Sequence, residues 1–258
     1  MIFYFTGTGN SYAAALGIQQ EVGGELINIT DCLQKGRYEF APEKDEAAGF
    51  VFPVYFGGLP SIVNDFLERV HFASSPEYLY GVLTYGGRFF GAGGMLEKKI
   101  KDSGLELSAV FGLKMPANYA IMYEPPREEE ADEILEGSAK RLEEILEQIL
   151  DRALVKEGTS KSEVETSIKF YPRYNKDRQT APFYVDDQCV SCGICAERCP
   201  VKAIELIDGT PTWIKETCVF CMSCLRCNAI QYGDVLKGRY RYRHPIFRKK
   251  TKGKTECH

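Results

Sequence analysis

The chain has 258 residues, 44% of them hydrophobic and 26% charged, with 24 Gly and 12 Pro. That balance describes a globular chain with room for one large domain or two small ones, and it excludes collagen-like and wholly disordered classes. No run approaches the roughly 20 uninterrupted apolar residues of a membrane helix; the most apolar stretch, Ala47 to Pro60, is cut by Pro53, Gly57 and Gly58. Met1 leads directly into Ile-Phe-Tyr-Phe, with no basic n-region and no small-residue cleavage site, so a cytoplasmic chain without membrane insertion is expected. The formal net charge of −4 is unevenly spread. Residues 233–258 hold nine Lys/Arg against Asp234 and Glu256, a balance of +7 that leaves −11 on residues 1–232. An acidic body with a basic tail argues against a dedicated nucleic-acid binder.

In chain order, Ile2–Phe5 reads as a short strand ending in a Gly-rich turn, and a helical pattern runs from Ser11 to about Val22. Glu25–Ile29 is a second strand. Ala47–Phe52 is a buried one, because its apolar run is continuous rather than alternating. Ser61–Val70 is amphipathic, with Ile62, Phe66 and Val70 on one face and Ser61 available as a cap. Leu79–Thr84 is a strand, Ala92–Lys101 a helix and Leu107–Leu113 a strand. Strands alternating with helices imply parallel pairing through right-handed crossovers, and hence a five-stranded doubly wound α/β sheet.

Glu128–Leu154 is the clearest helix, with apolar positions from Ala131 to Ala153 at three-to-four spacing. Glu128, Glu129 and Glu130 fall in its first turn, where acid complements the helix dipole; that reading is preferred to a catalytic one. Thr159 to Ala181 is polar with no sustained period and reads as a connector. The expected division is therefore 1–155 for the α/β domain with its long helix, 156–182 for the connector, 183–232 for a small cysteine-rich α+β domain, and 233–258 for the basic tail.

Eight of the ten cysteines fall between Cys189 and Cys227, while Cys32 and Cys257 lie apart as ordinary thiols. A disulfide scaffold suits small secreted domains, so a tight cluster in a chain of this kind points to metal. Cys189-x2-Cys192-x2-Cys195-x3-Cys199-Pro200 is the sequence form of a four-iron cluster site. A cubane needs one thiolate per iron, and the short spacers let three ligands curl around it while backbone amides point at its sulfurs. The unit is repeated: CVSCGICAERCPVKAI at 189–204 returns as CVFCMSCLRCNAI at 218–230, the first three cysteines displaced by 29 residues. Paired zinc sites are the alternative, since Cys-x2-Cys pairs also bind zinc, but zinc usually takes two well-separated pairs rather than two triplets.

This region resembles the two-[4Fe–4S] ferredoxins, in which the fourth cysteine of each run ligates the other cluster. The resemblance implies that Cys189, Cys192, Cys195 and Cys227 hold one cluster and Cys218, Cys221, Cys224 and Cys199 the other. One departure stands out. The second half has x2 before Cys227 where the family has x3, and Asn228 replaces the proline. Cys227 is the weakest ligand on this reading, and its cluster the more labile.

Thr6-Gly7-Thr8-Gly9-Asn10-Ser11 joins the first strand to the first helix. Its glycines let several N–H groups converge at a helix N-terminus, where anions are stabilised. No lysine is present, so it is not a Walker loop, and the GxGxxG dinucleotide pattern is absent too. The loop resembles the FMN-phosphate loop of flavodoxins, T-x-T-G-x-T, with Ser11 in the last position. Flavodoxin-like proteins hold the isoalloxazine ring with loops after the third and fourth strands, at the carboxyl edge of the sheet. Here those are Pro53-Val54-Tyr55-Phe56-Gly57-Gly58 and Thr84-Tyr85-Gly86-Gly87. Tyr55 and Tyr85 are candidate stacking partners, and Asn118 or Tyr119 of the following loop could line the same pocket.

The whole chain thus resembles a flavodoxin-like domain, with strand order 2-1-3-4-5, fused to a two-cluster ferredoxin domain, an arrangement known from anaerobes and some other prokaryotes. That implies an electron-transfer protein relaying single electrons between two [4Fe–4S] clusters and FMN, to or from a redox partner such as a ferredoxin, reductase or dehydrogenase. The rivals are a self-contained flavin-dependent reductase of a small substrate and a flavin-free scaffold. No histidine lies in the three flavin loops, which is weak evidence because hydride transfer from flavin needs no protein acid. Arg239-Tyr-Arg-Tyr-Arg243 has the interleaving of a nucleic-acid or anionic-lipid binder, yet a solvated tail or a strap over the acidic body explains its charge more simply.

Overall fold

The computed structural model describes residues 1–43 and 45–248, so Cys257 and the last lysines of the tail lie outside it. The chain begins with β1 (Ile2–Tyr4), α1 (Asn10–Val22), β2 (Leu26–Asn28), α2 (Ile29–Lys35), β3 (Glu39–Phe40) and β4 (Ala47–Pro53). It continues through α3 (Ser61–Leu67), β5 (His71–Phe72), β6 (Tyr78–Tyr85), α4 (Ala92–Asp102), β7 (Ala109–Lys114) and α5 (Glu128–Leu150). Five of these strands form one sheet in the order β2-β1-β4-β6-β7, and every pairing in it is parallel. With β3 and β5 set aside as a separate two-residue pair, this is the doubly wound flavodoxin-like order expected.

The strands read as near-continuous apolar runs because both sheet faces are covered. On one face Phe3, Phe5, Phe50 and Phe52 meet Ile62 and Phe66 of α3 and Leu96 and Ile100 of α4. On the other, Ile2, Val51, Val82 and Phe111 meet Ala14, Ala15 and Ile18 of α1 and Ile145 and Ile149 of α5. Each fully buried phenylalanine stabilises the sheet by about 1.5–3 kcal/mol relative to an exposed one.

Several local expectations are corrected. α3 is capped by Pro60 rather than by Ser61, and it ends at Leu67. The second strand gives way after Asn28 to α2, whose first turn is capped by the Asn28 side chain accepting from Thr30 N at 2.9 Å. α5 stops at Leu150, and Arg152 beyond it takes a positive φ of 51°.

The largest correction concerns the segment read as a connector. It contains α6 (Lys161–Phe170) and α7 (Pro172–Asp177). Residues leading into α6 run beside the sheet edge, where Val110 N donates to Val155 O at 2.7 Å and Glu157 N to Val110 O at 3.1 Å. The face that α6 and α7 bury includes Ser167 and Tyr174, both inaccessible to solvent. A buried face made of hydroxyl-bearing residues gives no hydropathy period, so the sequence conceals these helices.

The C-terminal unit comprises β8 (Phe183–Val185), α8 (Ile194–Glu197), β9 (Ile204–Ile207), β10 (Thr210–Trp213), a 3₁₀ turn at Ser223–Arg226, and β11 (Ile230–Tyr232). β8 pairs antiparallel with β11, and β9 with β10. Phe183 stacks on Trp213 at 5.0 Å between centroids. The unit does not stand apart from the sheet. Val219 and Cys221 belong to the same buried cluster as Phe3 and Phe52, and Gln34 of α2 donates to Pro200 O at 3.2 Å.

The described part of the basic tail, ending in α9 (Pro245–Arg248), is a strap. Tyr242 is buried and its hydroxyl lies 3.1 Å from Asn10 Oδ1. His244 N donates to Thr8 O at 2.9 Å, and Phe247 stacks on Tyr12 at 5.7 Å. Among the described residues, no helix is long and apolar enough to cross a membrane.

Candidate functional site

At the carboxyl edge of the sheet, the loops after β1, β4, β6 and β7 close around a cavity of about 190 Å³. All of the cofactor-loop residues singled out in the sequence line it except Gly9 and Gly58. Gly9 instead caps α1 with a φ of 109°, and a side chain there would meet the strap at His244 and Phe247. Gly58 lies beneath the ring of Tyr171.

The phosphate-type loop is held by its own hydroxyls. Gly9 N donates to Thr6 Oγ1 at 3.1 Å, Ser11 and Thr84 share a hydrogen bond of 2.7 Å, and Asn118 Nδ2 donates to Thr8 Oγ1. Asn10 Nδ2 donates to Pro116 O at 2.9 Å, tying this loop to the one after β7. Helix geometry leaves the first amides of α1 unpaired within the helix and pointing out of its N-terminus. With three hydroxyls beside them, this end of the cavity suits an anion.

The other end is aromatic. Tyr55, Phe56, Phe90, Tyr119, Tyr123, Phe170 and Phe220 line it, with Met115 and Met122. Phe56 takes a positive φ of 51° and packs between Tyr119 and Phe170, with ring centroids 5.6 and 5.8 Å away. Left-handed backbone at a non-glycine residue costs roughly 1–2 kcal/mol and is maintained here by that packing. Burial pushes the Tyr55 hydroxyl well above its ordinary range. Tyr85 packs on Phe89 at 5.4 Å. Among the described residues, the lining holds no carboxylate and one cation, Arg88. A flat ring carrying an anionic arm matches this division.

Sequence reasoning missed the residues from α6 and α7 that fix this cavity. Ser167 Oγ donates to Gly57 O at 2.6 Å and accepts from Gly91 N at 2.9 Å, pinning the loops after β4 and β6 to each other. The Tyr174 hydroxyl accepts from Ser61 N at 3.3 Å and donates to Val219 O at 2.8 Å. The aromatic spacing Phe170-Tyr171-x2-Tyr174 was the available signal, diluted by the charged residues around it.

The eight clustered cysteines surround two further cavities. Cys189, Cys192, Cys195 and Cys227 line one, which Cys224 also touches. Cys199, Cys218, Cys221 and Cys224 line the other. Cys227 is therefore brought to the first cavity despite its shortened spacer. None of the described cysteines is in a disulfide. The thiols sit on the walls of their cavities; among the described residues, no three Cys, His, Asp or Glu side chains converge closely enough to hold a single metal ion.

Local geometry already directs amides at sulfur. Ala203 N donates to Cys199 Sγ at 3.1 Å, and Phe220 N to Cys218 Sγ at 3.4 Å. Burial is the main cause that pushes the Cys195 and Cys218 thiols up to about 11, and it pushes Cys221 and Cys224 further still. Thiolates in such surroundings require compensating positive charge, which a metal centre would supply on displacing the protons.

The second thiol cavity adjoins the aromatic one. Phe220, between Cys218 and Cys221, lines both. A Cβ on Gly7 would collide with the carbonyl of Cys221, so glycine is what lets the phosphate-type loop lie against the cysteine loop. This cavity is proximal to the sheet edge, and the one containing Cys189 is distal.

Residues 182–205 match the family model described as 4Fe-4S binding domain. The chain therefore carries a four-iron cluster motif that includes Cys189, Cys192, Cys195 and Cys199. No curated protein matches the chain. Among solved structures, a protein named as a flavoprotein from Bacteroides uniformis aligns at 16% identity and a TM-score of 0.33, over 44% of this chain and 88% of that one. Smu.1420 from Streptococcus mutans aligns at 14% identity and a TM-score of 0.36, over 55% of this chain and 97% of that one. Neither overlap is close enough to carry a functional argument.

Proposed function

We propose that the chain is an electron-transfer protein that holds FMN in the cavity at the sheet edge and one [4Fe–4S] cluster in each thiol cavity. The observation that carries this reading is the shared wall: Phe220 lines both the proximal thiol cavity and the aromatic cavity, and Cys221 lies against Gly7. FMN when bound can take electrons one or two at a time, whereas each cluster passes one. The role of the chain is positional. Thr6, Thr8, Ser11 and the N-terminus of α1 would bind the phosphate; Tyr55, Phe56, Tyr85 and Tyr119 would surround the ring; and Gly57, Gly58, Gly86 and Gly87 would let main chain come close to its edge.

Cys189, Cys192, Cys195 and Cys227 would hold the distal cluster and Cys199, Cys218, Cys221 and Cys224 the proximal one. The division into 1–155, 156–182, 183–232 and 233–258 follows the order of these tasks, with the middle segment serving as cavity wall as well as link. A redox protein such as a ferredoxin, reductase or dehydrogenase would exchange electrons with the distal end, where Cys192 is exposed.

A second reading draws support from the cavity mouth. Met122 is 46% exposed and Tyr123 39% exposed there, beside Arg88, which leaves room for a small substrate and a self-contained reductase. Rapid anaerobic mixing with a one-electron donor distinguishes the two. A carrier shows cluster bleaching followed by flavin bleaching and then stops. Continued turnover on a nitro compound, quinone or disulfide would instead establish the reductase. Flavin that bleaches with the same rate in a Cys221→Ser chain would contradict the relay.

A further inference from the structure

The two thiol cavities differ in what surrounds them. The proximal lining outside its cysteines is apolar except for Ser223: Phe183, Pro200, Val201, Ile204, Trp213 and Phe220 are among its walls. Two cations reach wall carbonyls from outside that lining: Arg178 donates to the Cys218 carbonyl at 3.1 Å and Lys215 to the Val201 carbonyl. The distal cavity is lined by two guanidinium-bearing residues, Arg226 and Arg243. A third, Arg241, donates through Nη1 to the Cys227 carbonyl and through Nη2 to Gln231 Oε1 at 3.3 Å. Its Nε is buried with no hydrogen-bond partner among the described residues. Asp186, which accepts from Gln231 Nε2 at 2.9 Å, offsets part of this charge.

We propose that Arg226, Arg241 and Arg243 set the reduction potential of the distal cluster above that of the proximal one, and that the strap exists in part to deliver two of these three cations. The inference rests on the two-cluster reading above. Reducing a cluster adds one electron from the donor and one unit of negative charge, with no bond made or broken. Nearby cations stabilise the added charge, and an apolar wall penalises it. Solvent acts in the same direction, because Cys192 is exposed while Cys199 and Cys221 are buried.

The strap ties the two ends of the molecule together. Arg241 and Arg243 flank Tyr242, whose hydroxyl meets Asn10, and the next residue, His244, donates to Thr8 O in the phosphate-type loop. The main chain that fastens over that loop is thus the same main chain that places cations at the distal cluster. The arrangement makes the distal cluster the resting place for an incoming electron and the proximal cluster the uphill step toward the sheet edge.

The test is an anaerobic redox titration of the full chain followed by electron paramagnetic resonance, with iron and sulfide counted on the same samples. Two species with separate midpoints are expected, and Cys192→Ser identifies the distal one by removing its signal alone. Arg243→Gln should lower the reduced-to-oxidised ratio of the distal species about tenfold at fixed potential, equivalent to about 59 mV for one electron. Arg243→Lys should restore most of that ratio, and the proximal species should not move. If Arg243→Gln sheds iron, Arg226→Gln carries the same test with the same expected direction. Coincident midpoints in the parent chain, or equal shifts of both species, would overturn the inference while leaving two clusters in place. An iron count near four would remove the two-cluster reading and the inference together.

Discussion

The proximal and distal thiol cavities come from one repeated motif and end in opposite surroundings. The proximal one is pressed into the α/β body, with Val219 and Cys221 in the same buried cluster as the sheet phenylalanines. The distal one faces outward, with Cys192 exposed and Val190 61% exposed. Cysteine spacing supplies a quartet of thiols in each case. The properties of each quartet are set by residues far away in sequence: Tyr174 and Gly7 for the proximal cavity, Arg241 and Arg243 for the distal one.

If this contrast is right, equivalent substitutions must have unequal effects. The largest expected difference separates Cys221→Ser from Cys192→Ser. Each should lower iron from about eight to about four atoms per chain, and each loses the stability its cluster supplies, but Cys221→Ser should destabilise the fold by about 1–3 kcal/mol more in urea melts, because its hydroxyl is buried. Equal melts for the two variants would dissolve the contrast. Gly7→Ala comes next. Its new methyl meets the Cys221 carbonyl, so a cost of about 1–3 kcal/mol is expected, together with weaker flavin retention on gel filtration and an unchanged distal cluster signal.

Tyr174→Phe is a milder probe of the same contact. It leaves the Val219 carbonyl and Ser61 N without their hydroxyl partner, which should cost about 1–2 kcal/mol. At the distal end Val190→Ser should change stability by less than about 0.5 kcal/mol, as expected for a side chain that packs on nothing buried. A loss as large as that of Tyr174→Phe would show that the distal surface is structurally engaged.

The parallel sheet was legible because its strands, such as Ala48 to Phe52 of β4, are buried on both faces and read as unbroken apolar runs. The cysteine repeat was legible because cluster ligation demands fixed short spacers. α6 and α7 were not, since Ser167 and Tyr174 bury polar side chains whose partners lie more than 40 residues away. The strap was half legible: its charge is plain in the sequence, but its course depends on main-chain contacts such as His244 N to Thr8 O, which no residue pattern encodes. Arg88 was not legible, because a single arginine after Gly86-Gly87 carries no pattern that distinguishes a cavity wall from a solvated loop.

The most direct measurement is the metal, sulfide and flavin content of the chain purified without oxygen. The account predicts about eight irons, eight sulfides and one FMN per chain. Zinc at the thiol cavities, or a chain that takes up its full iron yet binds no flavin, would contradict it.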